Sequence, residues 1–192
     1  MYPNRNNELE VISLFRGNYK RRFYLREISK LSKLPLKTCQ NALTNLEKSK
    51  ILKSKIEGKN KYFSLNLENI KTKSSLLQAE IYQTDIFTEK YSQFRMFLKS
   101  LKTTVPIIVF GSFAKFTADK NSDLDLLIIS EKELKLPFHL LPSKPHQINM
   151  SDKTFIKTIG KQENLIKEIE ENHIILNNHS YYVNVMWEYY GK

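Results

Sequence analysis

Two apolar runs separated by a fixed polar pattern constrain this chain more than any other feature. VPIIVF (105–110) ends in Gly111-Ser112, and LLIIS (126–130) begins from Ser122-Asp123-Leu124-Asp125. Short continuous apolar runs bounded by turn residues read as buried strands. A glycine directly after such a strand lets backbone amides approach a phosphate closely, and Ser112 adds a hydroxyl donor. Carboxylates at i and i+2 on a strand share one face. At the mouth of an apolar strand they repel each other unless a cation lies between them. Hard oxygen ligands of this kind suit Mg²⁺ carried by a nucleoside triphosphate.

The charge is concentrated at the other end of the chain. Residues 1–66 hold 15 Lys+Arg against 5 Asp+Glu, which accounts for +10 of the net +11 over 192 residues. A basic module joined to a near-neutral one points to a polyanion partner for the first. Apolar residues recur at helical spacing over 8–17, 24–33 and 35–49. ILKSKI (51–56) and KYFSLNL (61–67) then alternate with period 2 around a Gly58-containing turn, which predicts a hairpin. Three short helices followed by a basic hairpin is the order of a winged helix-turn-helix. The third helix would present Lys37, Thr38, Gln40, Asn41 and Thr44 to base edges in the major groove of double-stranded DNA. The hairpin would offer Lys53, Lys55, Lys59 and Lys61 to phosphates. The same module could instead serve protein contacts or a homodimer.

Residues 68–102 lack Gly and Pro and keep helical spacing, predicting one or two connecting helices. Residues 131–145 carry three prolines and read as a surface loop. HQINM (146–150) reads as a strand and 152–172 as helix, broken at Gly160. IIL (174–176) and YYVNVMW (181–187) read as strands. No apolar run approaches the roughly 18 residues of a membrane span, and the opening MYPNRNNELE has no apolar signal core. The single cysteine, Cys39, excludes an intrachain disulfide and a thiolate zinc cage. A soluble cytoplasmic protein with no membrane partner is the expectation.

GSFAKFTADKNSDLDLLI (111–128) resembles the signature of the polymerase β-like nucleotidyltransferases, most closely their minimal prokaryotic form. The basic front third resembles the winged helices fused to such domains in some archaeal proteins. The resemblance implies an α+β chain of two domains. A winged helix-turn-helix (1–67) and a helical connector (68–102) would precede a mixed-sheet nucleotidyltransferase domain (103–192). It implies that Gly111 and Ser112 hold the triphosphate, with ATP the expected nucleotide. Asp123 and Asp125 would be the catalytic metal ligands. The family transfers a nucleoside monophosphate to an acceptor, here of unknown identity, either RNA or protein.

The chain departs from the pattern twice. Phe116 stands where the family often has a second glycine. The strand that usually carries a third carboxylate offers Gln147 and Asn149, neither of which can act as a base. Asp152 lies just beyond as a candidate third catalytic carboxylate, although Ser151-Asp152 also reads as an ordinary helix start. His139 and His146 flank the site, where exposed loop histidines are ordinarily bystanders. Two functions follow. One is a nucleotidyltransferase with a DNA-binding winged helix. The alternative is a DNA-binding transcriptional regulator whose degenerate domain only binds nucleotide.

Overall fold

The structure is a computed structural model that describes residues 6–159, 161 and 163–191. The chain divides into two compact units, one comprising Met1–Tyr82 with Met186–Lys192 and the other Gln83–Val185.

The first unit runs α1 (Asn7–Ser13), β1 (Arg22–Tyr24), α2 (Leu25–Ser32), α3 (Leu36–Lys48), β2 (Leu52–Glu57) and β3 (Asn60–Leu65). Asn6 starts α1, its side-chain oxygen accepting from the amides of Glu8 at 3.0 Å and Leu9 at 3.1 Å. Glu27, in the first turn of α2, reaches back to the Tyr24 amide at 3.0 Å. Lys33 ends α2 in the left-handed region (φ 56°), and Pro35 precedes α3. The apolar faces of the helices meet in a core that includes Ile12, Phe15, Ile28, Cys39, Leu43 and Leu46. The strands form an antiparallel sheet of order β1-β3-β2. Strand β1 was not expected: three residues are too few to display a period, and only pairing with Tyr62–Ser64 makes them a strand.

Arg16 and Glu80 form a buried ion pair at 2.5 Å. Removing one partner of such a pair leaves a buried charge uncompensated, at a cost of about 3–5 kcal/mol. Glu80 belongs to the long helix α4 (Ile70–Lys90), which α5 (Phe94–Ser100) follows.

The second unit contains β4 (Ile107–Phe110), α6 (Gly111–Ala114), β5 (Leu124–Ile129), β6 (Pro145–Met150), α7 (Asp152–Thr158), α8 (Asn164–Glu171) and β7 (Ile174–Asn177). Helix α9 (His179–Tyr190) follows and ends in the first unit. The sheet order is β6-β5-β4-β7, with β5 and β6 parallel and the other pairs antiparallel. Ile107, Val109, Leu124, Leu126 and Ile174 turn one sheet face toward Phe87, Tyr91, Phe94, Phe97 and Phe113. The opposite face is buried too, with Ile108, Leu127 and Ile175 inaccessible. The chain is thus a mixed α+β structure.

Two sequence expectations are corrected here. YYVNVMW is helical, part of α9. Its density of β-branched and aromatic residues imitates a strand, but the buried set Tyr182, Val183, Met186 and Tyr190 has helical spacing. Asn178, left-handed at φ 58°, turns the chain from β7 into α9, and its side-chain oxygen accepts from the Tyr181 amide at 3.2 Å. Residues 131–145 are not simply a surface loop. Leu136, Phe138, Leu140 and Leu141 pack against the core, and Phe138 in a 3₁₀ turn stacks on Phe97 at 6.5 Å. Prolines conceal those anchors from a periodicity reading. The expected break at Gly160 lies outside the described residues.

Candidate functional site

Strand β4 delivers the chain to Gly111, which adopts φ +68°, a conformation that L side chains rarely take. A Cβ added there would collide with Oδ2 of Asp125, whose Cγ lies 3.4 Å from the same point. Any other residue there would take a left-handed strain and would push the Asp125 carboxylate from its place.

The turn after Gly111 closes with paired bonds, the Phe116 amide to the Phe113 carbonyl and the Thr117 amide to the Ser112 carbonyl, both at 3.0 Å. This closure requires a left-handed residue, usually glycine, and Phe116 takes it at φ 59°. An L side chain there costs about 1–2 kcal/mol. Its ring offsets that cost by packing on Phe87 (6.2 Å) and Tyr91 (6.3 Å), with the Lys90 ammonium 5.6 Å above it. Lys90 also donates to the Phe116 carbonyl.

The segment before β5 is folded by Asp119. Its Oδ1 accepts from the Asn121 amide at 2.9 Å and the Ser122 hydroxyl at 3.0 Å. The Asn121 amide and then the Ser122 hydroxyl hold the Asp119 carboxyl below its ordinary range. This turn sets Asp123, exposed, just ahead of β5. Asp125 follows on the strand with its side chain 25% exposed, paired in register with Phe110 on one side and His146 on the other.

His146 is the neighbour that sequence reasoning undervalued. Its Nδ1 lies 3.1 Å from Oδ1 of Asp125. An ionised carboxylate only accepts, so in this contact Nδ1–H is the donor. The missed signal was register: in HQINM the first residue, not Gln147 or Asn149, shares a face with Asp125. Gln147 and Asn149 lie on the opposite face and bond to each other at 2.7 Å.

The structure brings Gly111 and Asp125 together, with Ser112 and Asp123 as their chain neighbours. It does not bring Asp152 to them. Asp125 faces His146 near the start of β6, whereas Asp152 opens α7 beyond the far end of that strand, and among the described residues the three carboxylates do not gather into one metal-holding group. There Ser151 caps α7 by accepting from the Thr154 amide, and Asp152 accepts from the Tyr181 hydroxyl. Burial, then the Asp152 hydrogen bond, pushes the Tyr181 hydroxyl pKa upward. Lys115, beside the Gly-Ser turn, pairs with Glu168 at 2.6 Å.

In the first unit, Lys37, Gln40, Asn41 and Thr44 lie exposed on α3, while Thr38 is half-buried. The hairpin lysines are mostly engaged: Lys61 with Glu47 (2.7 Å), Lys55 with Glu57 (3.3 Å) and Lys53 with Glu68 (3.9 Å). Lys37 and Lys59 have no ion-pair partner among the described residues.

Among the described residues, no group of three or more His, Cys, Asp or Glu side chains could hold a metal ion. The donors at the site are two carboxylates beside a glycine turn. That set suits Mg²⁺ bound largely through a nucleotide's phosphates and water, and does not suit a cage made by the protein alone. No helix among the described residues is long and apolar enough to cross a membrane.

The family model described as Nucleotidyltransferase domain matches residues 91–186, half of the chain. No curated protein and no solved structure matches it. The matched segment contains Gly111 and Ser112 in the turn after β4, Asp123 just before β5 and Asp125 on it, and the chain belongs to the nucleotidyltransferase domain family.

Proposed function

We propose that the second unit binds a nucleoside triphosphate with Mg²⁺, ATP first among them, and transfers its nucleoside monophosphate to an RNA or protein acceptor. The observation that carries this reading is the contact between Gly111 and Asp125. A left-handed glycine leaves open the space beside a partly buried carboxylate that any side chain would fill. Ser112 would donate to a phosphate oxygen, and Asp123 and Asp125 would hold Mg²⁺, which supplies charge neutralisation when bound. The acceptor oxygen attacks the α-phosphorus, the bond from it to the bridging oxygen breaks, pyrophosphate leaves and the acceptor loses a proton.

The first unit is, in this reading, a winged helix-turn-helix that binds double-stranded DNA. The α2–α3 pair, the basic hairpin and the exposed amides of Gln40 and Asn41 support it.

One observation favours a second reading. Beside Asp125 stands an imidazole, not a third carboxylate, and Asp152 is engaged by Tyr181 at the start of α7. A DNA-binding transcriptional regulator whose domain binds nucleotide without transferring it fits that arrangement.

The test is incubation with each α-³²P nucleotide, Mg²⁺ and cell lysate, with the Asp123→Asn/Asp125→Asn variant alongside. Label on RNA or protein that the variant abolishes supports transfer. Nucleotide binding without label supports the regulator.

A further inference from the structure

A recess in the first unit lies between α2, α3 and β3, with a volume of about 740 Å³. That is within the roughly 300–1,000 Å³ of small-ligand sites. We propose that it binds an unpaired stretch of nucleic acid, a short run of nucleotides within a single strand. This goes beyond the duplex reading and does not depend on it.

Shape is the first argument. A duplex is a convex rod that accepts protruding helices and ribbons into its grooves. A recess in the protein is filled instead by bases that have left a stack. Chemistry is the second. Tyr24, half-buried in the wall, offers a ring on which a base can stack, and Gln40 and Thr44 offer amide and hydroxyl groups to its edge. Arg26 and Lys59 line the same recess, are exposed and have no ion-pair partner among the described residues. The one carboxylate in the wall, Glu47, is taken up by Lys61 and the Ser54 hydroxyl. Two free cations along one groove match more than one phosphate, which selects a strand over a mononucleotide.

The third argument is a partition. Of the residues expected to meet DNA, Gln40, Thr44, Lys59 and Lys61 line the recess, whereas Lys37, Asn41, Lys53 and Lys55 do not. The two surfaces are therefore separable by mutation.

The experiment is fluorescence anisotropy on the full chain. The probe is a labelled DNA strand of about 12 nucleotides, a length single-strand modules occupy, measured alone and annealed to its complement. Tyr24→Leu and Lys59→Glu should each weaken single-strand binding about tenfold, while Lys37→Ala/Asn41→Ala leaves it within about twofold. Lys59 sits on an exposed turn, so its variant remains informative if Tyr24→Leu fails to fold. Absence of single-strand binding, or indifference to Lys59→Glu, overturns the proposal. So does complete displacement of the strand by excess MgATP. Duplex binding that needs Lys37 and Asn41, without single-strand binding, would overturn it and leave the duplex reading standing. Single-strand binding without duplex binding would do the reverse.

Discussion

Asp125 and His146 stand opposite each other on adjacent parallel strands, the imidazole Nδ1 held 3.1 Å from the carboxylate Oδ1. The imidazole thus occupies one oxygen of Asp125, and the other oxygen faces Gly111. Among the described residues no group of three or more His, Cys, Asp or Glu side chains forms a metal-holding set, so the imidazole at position 146 stands where a third carboxylate would complete one.

Converting that neighbour should create what is missing. His146→Asp is expected to bind Mn²⁺ without nucleotide, at least about tenfold more tightly than the parent chain, because ligand charge count sets affinity for hard cations. Isothermal titration with the metal alone reads this directly. Equal affinities would mean that position 146 does not contribute to the proposed metal site.

Gly111→Ala combines a left-handed alanine with a collision against Asp125. The left-handed strain costs about 1–2 kcal/mol, and the Asp125 carboxylate must also swing away from the new Cβ, so a loss of at least about 1–2 kcal/mol is expected. Urea unfolding measures it; no measurable loss would contradict the left-handed backbone at Gly111.

At Phe116 the usual order of side chains should invert. Phe116→Gly relieves the left-handed strain and Phe116→Ala keeps it, so glycine should be the more stable replacement by about 1 kcal/mol. Both should fall below the parent chain, which keeps the aromatic ring. Thermal melts of the three proteins decide the order.

The hairpin should loosen in acid. Hydrogen bonds from Lys61 and then Ser54 lower the Glu47 pKa in the folded chain. A carboxyl with a depressed folded pKa contributes stability above its unfolded pKa and loses it as pH falls through the folded one. Urea midpoints should therefore decline from about pH 5 downward, and Glu47→Gln should flatten that part of the profile. Identical slopes for parent and variant would count against the Glu47 network.

Salt dependence should separate free from engaged lysines in duplex binding. Lys37→Ala should reduce the slope of log K against log salt by about 0.9, the value of one phosphate contact. Lys55→Ala should reduce it less, because Glu57 competes for that ammonium. Equal reductions would show that the Lys55–Glu57 pair dissolves on DNA.

Much of this was legible in the sequence because its signals are local. The apolar run 105–110 contains β4, the run 126–130 covers most of β5, the 35–49 spacing is α3, and alternation around Gly58 is the β2–β3 hairpin. The Gly-Ser turn was legible because a glycine stands directly after a continuous apolar run. What escaped depends on pairing between distant segments. Strand β1 exists through β3, the role of His146 follows from the β5–β6 register, and α9 wears a strand's composition on a helical period. The distance from Asp152 to Asp125 likewise needs the strand direction, which no local pattern encodes.

The ring of Phe116 has a wider consequence. The shape of the Gly-Ser turn rests on ring contacts of Phe116 with Phe87 and Tyr91, both buried side chains of the preceding segment. A random screen for loss of nucleotide binding should therefore return lesions at Phe87 and Tyr91 beside those at Asp123 and Asp125. A map of such hits drawn on the surface alone would miss half of what shapes the cradle.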